Sequence, residues 1–270
     1  MRVRKVSMNI GKLIILIFIL ICIVSVFWTP HDPNQMNPDI KFSPPSRDYI
    51  FGTDNFGRDI FSRIMTGSQT AFILAFGAVG LALLFGLIIG GFAGYLGGKT
   101  DEVLMRIIDA LMAFPGVLFA IMLVAVYGPG VRNTILALGV MGIPYFSRVT
   151  RSGFLQIRKM DYVMASKTKG ANGFHIAIHH ILPNIRNQII VAVSLSVSNT
   201  ILSEAGLSYL GLGVKPPYPS WGRMLKEAQT YFNQAPWYFY STGLVISLMV
   251  FGFTLLGDGL RDRRVKETGK

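Results

Sequence analysis

Long uncharged runs alternate with short polar or basic segments along the whole chain. Residues 13–28 and 64–98 contain no charged side chain. The second run exceeds the roughly 20 residues that a helix needs to cross a bilayer. Four further apolar runs occupy residues 110–127, 133–147, 188–207 and 237–257. The pattern predicts an all-α membrane protein with six transmembrane helices.

The polar segments divide the chain into a small number of regions. We expect a cytoplasmic N-terminus, a first transmembrane helix, an extracytoplasmic segment, a five-helix core and a cytoplasmic tail, over residues 1–12, 13–29, 30–67, 68–257 and 258–270. The core includes a cytoplasmic loop, residues 151–186, and an outer loop, residues 208–236. In the extracytoplasmic segment, Thr53 or Asp54 is placed to cap an amphipathic helix over residues 55–65.

Composition and charge placement support this topology. Apolar residues make up 51% of the chain and charged residues only 15%, which excludes an ordinary soluble domain. Of the 26 lysines and arginines, 18 fall in segments predicted to be inside and eight in segments predicted to be outside. This bias predicts that both termini are cytoplasmic. The same bias explains the net charge of +12, because the excess lysines and arginines lie in the cytoplasmic segments beside the lipid bilayer. No nucleic-acid partner is therefore expected.

One polar, basic stretch, residues 161–184, interrupts the apolar pattern in the second half of the chain. Good helix formers predict a short helix over residues 162–169, and the glycines in residues 170–173 favour a turn. A second helix over residues 174–181 is expected to end at Pro183, because proline lacks the N–H group that a helix interior needs. Two short helices around a turn can lie flat on the membrane face.

The spacing within this stretch resembles the EAA loop of permease subunits of bacterial ABC importers. The spacing is carried by Ala165 and Ser166, by Gly170 four residues later, and by Leu182 and Pro183. The stretch departs from the family pattern at three positions. Met164 stands where the loop often has Glu, Ser166 where it has a second Ala, and His180 where it has Ile.

Other stretches narrow the resemblance to one branch of these importers. Four segments, residues 51–67, 109–121, 204–225 and 256–262, are similar to the dipeptide, oligopeptide and nickel permeases, specifically to their second, smaller permease type. The segments occur in the family's order and extend over nearly the whole chain. We therefore expect the fold of a type I ABC importer permease.

The resemblance implies a function and a set of partners. The chain would be a non-catalytic permease in a bacterial plasma membrane, paired with a second permease as a heterodimer. Two partner ATPases would bind ATP and Mg, an extracytoplasmic binding protein would deliver substrate, and this chain would hold no cofactor. Contact with the ATPases would fall on Met164, Ala165, Ser166, Lys167, Gly170, His180, Leu182 and Pro183. The expected cargo is di- and oligopeptides, with nickel or a metal–chelator complex as the alternative and an ion-coupled secondary transporter as a distant one.

Glu204 is the one acid within an apolar run, and an ionisable side chain at such depth is a candidate for function. About 25 Å of helix separates Glu204 from the inner end of its span at Arg186 and Asn187, which puts it close to the outer interface. A structural or gate-region role therefore competes with substrate contact in the pathway.

Two other groups of polar residues receive simpler interpretations. His175 and His179 are four residues apart, but no cysteine or carboxylate completes a metal site nearby, so we expect surface contacts with a partner and no metal. Asp109 is expected to pair with Arg106 on the surface of one helix. The sequence contains no recognisable nucleophile–base set, and an enzyme is not predicted.

Overall fold

The computed structural model describes residues 2–268, with side chains from residue 7 to residue 262. Regular structure in this range is helical, apart from an isolated bridge between Thr53 and Asp59. The helices are α1 (Arg2–Phe27), α2 (Ile60–Leu96), α3 (Gly98–Met112), α4 (Gly116–Tyr127), α5 (Val131–Ile157), α6 (Asp161–Thr168), α7 (Gly173–His175), α8 (Leu182–Tyr209), α9 (Trp221–Thr230) and α10 (Pro236–Thr268). A 3₁₀ turn (Pro38–Ile40) and a π-helical turn (Ile176–Ile181) complete the order. The predicted all-α class is confirmed.

Within the described residues, four helical segments are long and apolar enough to cross a membrane. They are Ser7–Phe27 in α1, Ile60–Leu96 in α2, Gly173–Tyr209 from α7 to α8, and Pro236–Asp262 in α10. They correspond to the first, second, fifth and sixth predicted spans. The pair α3 and α4 makes a fifth candidate if the two helices are taken together.

The third predicted span is bent, and the fourth is short as expected. Residues 110–127 were predicted as one span, but the chain bends by 81° between α3 and α4. Pro115 lies at this break, where its missing N–H and its effect on the preceding residue interrupt the helix. The fourth run lies within α5, whose uncharged part between Arg132 and Arg148 is short for a whole span.

Helices α2 and α5 approach closely because glycines line their contact. A Cβ atom added to Gly86 would lie 2.3 Å from the Cβ of Phe146, and one added to Gly90 would lie 2.3 Å from the carbonyl oxygen of Ser147. Gly94 continues the same stripe one turn later. Small residues four apart let two helix backbones pack tightly where a bilayer provides no hydrophobic driving force. This pair forms the rigid centre of the fold.

The predicted amphipathic helix over residues 55–65 is wrong. Residues 51–59 form turns, and α2 begins at Ile60 with Asp59 as its N-cap. Gly57 has a φ of +72°, which a helix does not contain. The carboxylate of Asp54 instead holds the turn, because it accepts hydrogen bonds from the backbone N–H of Phe56 and from the side chain of Arg58, at 2.8 and 2.7 Å.

Candidate functional site

Residues 161–181 fold as a compact unit, which we call the α6–α7 element. Asp161 lies in the first turn of α6 and Lys167 in its last turn, both placed favourably for the helix dipole. Gly170 has a φ of +86°, so a glycine at this turn avoids the strain that a side chain would add. Asn172 then accepts a hydrogen bond from the N–H of His175 at 2.7 Å and caps the following helix. The predicted first short helix and the turn at Gly170 are confirmed.

The predicted helix end at Pro183 is wrong. The chain continues from α7 through the π-helical turn into α8, and Gly173–Tyr209 is a single long helix. Pro183 lies in the first turn of α8. Because the π-helical turn directly precedes it, the helix is already widened where the proline ring and its missing N–H must be accommodated. The α6–α7 element is therefore continuous with a candidate membrane span.

A buried cluster fastens the α6–α7 element to the helical bundle. Val163 from α6 packs with Ile176 and Ile181 from the π-helical turn, Phe154 from α5 and Ile185 from α8. Each of these side chains is at most 4% exposed. Helix α6 therefore shares one buried cluster with the C-terminal end of α5 and the N-terminal end of α8.

Polar contacts connect the two halves of the element and hold it against α2. The Ser166 hydroxyl lies 3.1 Å from Nε2 of His180, so the structure brings together two predicted coupling residues that are 14 positions apart. Arg158 donates hydrogen bonds from Nη1 to the carbonyl oxygens of Gly94 and Tyr95, at 2.9 and 3.1 Å. These last carbonyls of α2 lack partners within their own helix. Sequence analysis missed Arg158, because its partners are more than 60 positions away and no local pattern indicates them.

Some of the predicted coupling residues are exposed, and the others make contacts within this chain. Met164, Ala165, Lys167, Gly170 and Pro183 are exposed, while Leu182 is half-buried beside the cluster and Ser166 and His180 contact each other. Exposed apolar side chains extend the first set along the same element. They are Tyr162, at 45% exposure, Met164 at 58%, Phe174 at 76% and Ile178 at 38%. Sequence analysis did not single out Phe174, although it is the most exposed of these side chains.

A basic cleft of about 540 Å³ borders this exposed face. Its lining includes Arg158, Lys159 and Lys167, together with Tyr95 and Met164. An apolar patch rimmed by charge is typical of a protein interaction site.

The histidines of the element contact one another. The rings of His175 and His179 stack with centroids 4.2 Å apart, and His180 meets His175 edge to face at 5.8 Å. Within the described side chains, no group of three or more His, Cys, Asp or Glu residues is arranged to hold a metal ion.

Ion pairs connect the α3 helix to α5 at the same end of the bundle. The Arg151 guanidinium binds the Asp101 carboxylate through two hydrogen bonds, at 2.5 and 2.6 Å. Asp109 pairs with Arg148 at 2.6 Å. The predicted pairing of Asp109 with Arg106 is therefore wrong, because Arg106 pairs with Glu102 one turn earlier and α5 supplies the cation for Asp109. The bend at Pro115 separates α3 from α4 and leaves α3 beside α5.

Glu204 lies near the C-terminal end of α8 and is 3% exposed. Its Oε1 accepts hydrogen bonds from the hydroxyls of Ser208 and Ser220, at 2.6 and 3.1 Å. Ser220 is the N-cap of α9, and the next residue, Trp221, donates a hydrogen bond from its indole to the carbonyl of Ile64 at 3.1 Å. The carboxylate thus connects α8 to the outer loop and, through it, to α2.

Comparison with known proteins identifies the kind of chain that carries these features. Residues 82–266 match the family described as the inner membrane component of binding-protein-dependent transport systems. The chain is 41% identical to the dipeptide transport system permease protein DppC of Alkalihalophilus pseudofirmus, over 94% of this chain and 83% of that protein. It is 39% identical to the oligopeptide transport system permease protein OppC of Bacillus subtilis, over 97% of this chain and 85% of that protein. The resemblance found in the sequence is confirmed.

Two solved structures share the fold at low sequence identity. An inward-facing MetNI methionine ABC transporter chain superposes with a TM-score of 0.62 at 16% identity, over 74% of this chain and 95% of that one. An amino acid ABC transporter chain gives a TM-score of 0.56 at 18% identity, over 75% and 94%. The helical core therefore shares its fold with these two ABC transporter chains.

Proposed function

The chain belongs to the family of inner membrane components of binding-protein-dependent transport systems, and we propose that it is a permease subunit of an ATP-driven peptide importer. Relatives named as dipeptide and oligopeptide permeases match nearly its whole length, which supports peptides as the cargo over nickel or a metal–chelator complex. One structural observation carries the proposal. The α6–α7 element exposes an apolar and basic face while its opposite side is buried against α5 and α8.

The proposed topology has six spans with both termini in the cytoplasm of a bacterial cell. The spans are α1, α2, α3 with α4, α5, α8 and α10. The excess of lysine and arginine in the segments on one side, 18 against eight, supports this orientation. In this orientation the α6–α7 element would lie at the cytoplasmic face, where ATPase subunits could reach it.

We assign the exposed face of the element to contact with an ATPase. Tyr162, Met164 and Phe174 would enter a cleft on the ATPase, with Ala165 small enough to allow close approach. Lys167 and the basic cleft would meet acidic groups around that site. ATP and Mg would be bound by the partner subunits, and this chain would contribute no catalytic residue.

The contacts of the element suggest how ATPase movement reaches the membrane. Closure of two ATPases would displace α6, and the buried cluster around Val163 would pass the displacement to α5 and α8. Arg158 would carry the end of α2 along with them. Since packed interfaces move between discrete arrangements, the pathway would alternate between inward and outward openings. A second permease and an external binding protein would complete the transporter.

Glu204 is proposed as part of the outer gate rather than as a substrate ligand. Its carboxylate is enclosed by two serine hydroxyls and holds α9 against α8. Movement of α8 would thereby move the outer loop.

Substitution at Ala165 tests the docking assignment. Ala165→Trp adds a large side chain at an exposed position, so it should leave the permease folded but block its entry into the ATPase cleft. Affinity purification of the tagged chain in mild detergent should then recover the second permease without the two ATPases. Ala165→Ser, which adds one oxygen, is the matched control and should recover the complete assembly. Full recovery of the ATPases with Ala165→Trp would contradict the assignment.

A further inference from the structure

Facing stripes on α5 and α8 line two successive cavities. Met141, Tyr145 and Arg148 recur at helical spacing on α5, and Val191, Leu195 and Asn199 do so on α8. The inner cavity, of about 550 Å³, lies between Arg148 and Val191, and the second, of about 400 Å³, lies between Met141 and Asn199. Tyr145 lines both cavities. The two cavities therefore follow one groove from the inner end of the bundle towards the middle of the membrane.

Polar side chains of α8 in and beside the second cavity differ in their hydrogen bonds. Ser194 and Ser198 donate hydrogen bonds to carbonyls of α10, both at 2.9 Å, and so serve helix packing. Among the described side chains, Ser196 and Asn199 have no such partner, and they lie three positions apart on one face of α8. Asn199 is exposed, whereas Ile201 on the far side of the helix is 1% exposed. Asn199 thus points away from this chain's own core.

The depth of Asn199 in the membrane indicates what its side-chain amide faces. It lies about 16 Å along the helix from Gln188, near the middle of a hydrocarbon core of about 30 Å. An amide facing lipid at this depth would lose its hydrogen bonds without replacement. Intramembrane polar residues therefore face a water-filled cavity or another polar group and mark substrate paths. A tightly packed contact with a second permease would not leave a recess of 400 Å³ beside it.

We propose that Tyr145, Ser196 and Asn199 line this chain's half of the peptide path and bind the backbone of the peptide in transit. The inference rests on the proposed function. Amide and hydroxyl groups both donate and accept hydrogen bonds, as the peptide N–H and C=O groups require. The second cavity has no charged lining residue, so its polar groups do not select for side-chain charge. Its volume falls within the range of about 300–1,000 Å³ that ligand sites occupy.

Thiol labelling tests whether this groove is open to water and to peptide. Cys22 is the only cysteine and can be replaced by Ser, after which Asn199→Cys and Phe251→Cys are introduced separately into the complete transporter. Phe251 is 52% exposed and follows Val250, the residue that Ser198 binds, so it lies at matched depth on α10. A membrane-impermeant cationic thiol reagent should modify Asn199→Cys about tenfold faster than Phe251→Cys, because thiolate forms readily only beside water.

Saturating dipeptide, supplied with ATP and the binding protein, should slow modification of Asn199→Cys. Equally slow modification of both positions in every nucleotide state would overturn the proposal and place Asn199 against lipid or the second permease. Fast modification that peptide leaves unchanged would also overturn it, because the groove would then hold water without binding peptide.

Uptake measurements test recognition of the backbone. Asn199→Leu removes one hydrogen-bonding group, so uptake of acidic, neutral and basic dipeptides should fall by the same factor of roughly three to ten. Ser247→Ala is the control, because this exposed hydroxyl bonds only the Gly243 carbonyl of its own helix, and it should leave uptake unchanged. A loss that depends on peptide charge, or no loss, would refute the inference. Absence of ATP-dependent uptake by the unmodified transporter would instead refute the proposed function.

Discussion

Truncation of Val163 should loosen the connection between the ATPases and the membrane helices. Helix α6 has only eight residues, and Val163 is its one buried side chain. A helix this short is not stable alone in water, so it depends on its contacts with the bundle. Besides Val163, the Ser166–His180 hydrogen bond attaches α6 to the following turn.

The magnitude follows from the atoms removed. Val163→Ala deletes two methyl groups from a side chain that is 4% exposed. At about 0.8 kcal/mol per buried carbon, with a further contribution from the cavity left behind, the contact weakens by about 2 kcal/mol. Since 1.4 kcal/mol corresponds to about a tenfold change in an equilibrium constant, the fraction of molecules with α6 detached should rise roughly 30-fold. The exposed side chains that we propose as ATPase contacts are unchanged by the substitution.

Two measurements on the purified transporter check this result. Hydrogen exchange at the amides of α6 should accelerate by roughly 30-fold if local opening controls it. The number of peptides imported per ATP hydrolysed should fall while ATP hydrolysis continues. Val103→Ala removes the same atoms from a side chain that is 57% exposed and should change neither quantity. Unchanged exchange and unchanged coupling in Val163→Ala would refute the role of the buried cluster.

Two further substitutions probe the turn and the helix contact. Gly170→Asp should abolish uptake, because a side chain at a φ of +86° strains the turn. The assembly should stay intact, because an added Cβ meets no atom of this chain within 4 Å. Normal uptake by the assembled variant would contradict this prediction. Gly90→Leu should destabilise the purified protein by about 2 kcal/mol or more, seen as a lower apparent melting temperature, because its Cβ would lie 2.3 Å from the Ser147 carbonyl oxygen. The control Gly80→Leu, with no atom within 4 Å of its Cβ, should change the melting temperature little.

Local patterns in the sequence were sufficient for four long helical segments and for the turn at Gly170. Uncharged runs predicted four of the long segments, because burial in a bilayer requires nearly every residue of a span to be apolar. The helix break at Gly170 follows from the backbone freedom of glycine. The effect of a proline depended on its setting. Pro115 separates α3 from α4, whereas the π-helical turn before Pro183 allows the helix to continue.

Contacts between distant positions could not be predicted in the same way. The partners of Arg158 on α2 and of Asp109 on α5 depend on how whole helices pack, and the sequence offered nearer partners for Asp109. The contacts of Glu204 also depend on helix packing, because its second hydrogen-bond donor is the hydroxyl of Ser220, the N-cap of α9. Asn199 was not singled out, because an isolated polar residue in an apolar run acquires meaning only beside a cavity.

Peptide uptake by the reconstituted transporter tests the central claim most directly. Proteoliposomes would contain this chain with the second permease and the two ATPases that purify with it, and the binding protein would be added outside. We predict that labelled dipeptide accumulates inside only when ATP is present within the vesicles. Accumulation without ATP, driven by a proton or sodium gradient, would contradict the account and identify the chain as a secondary transporter.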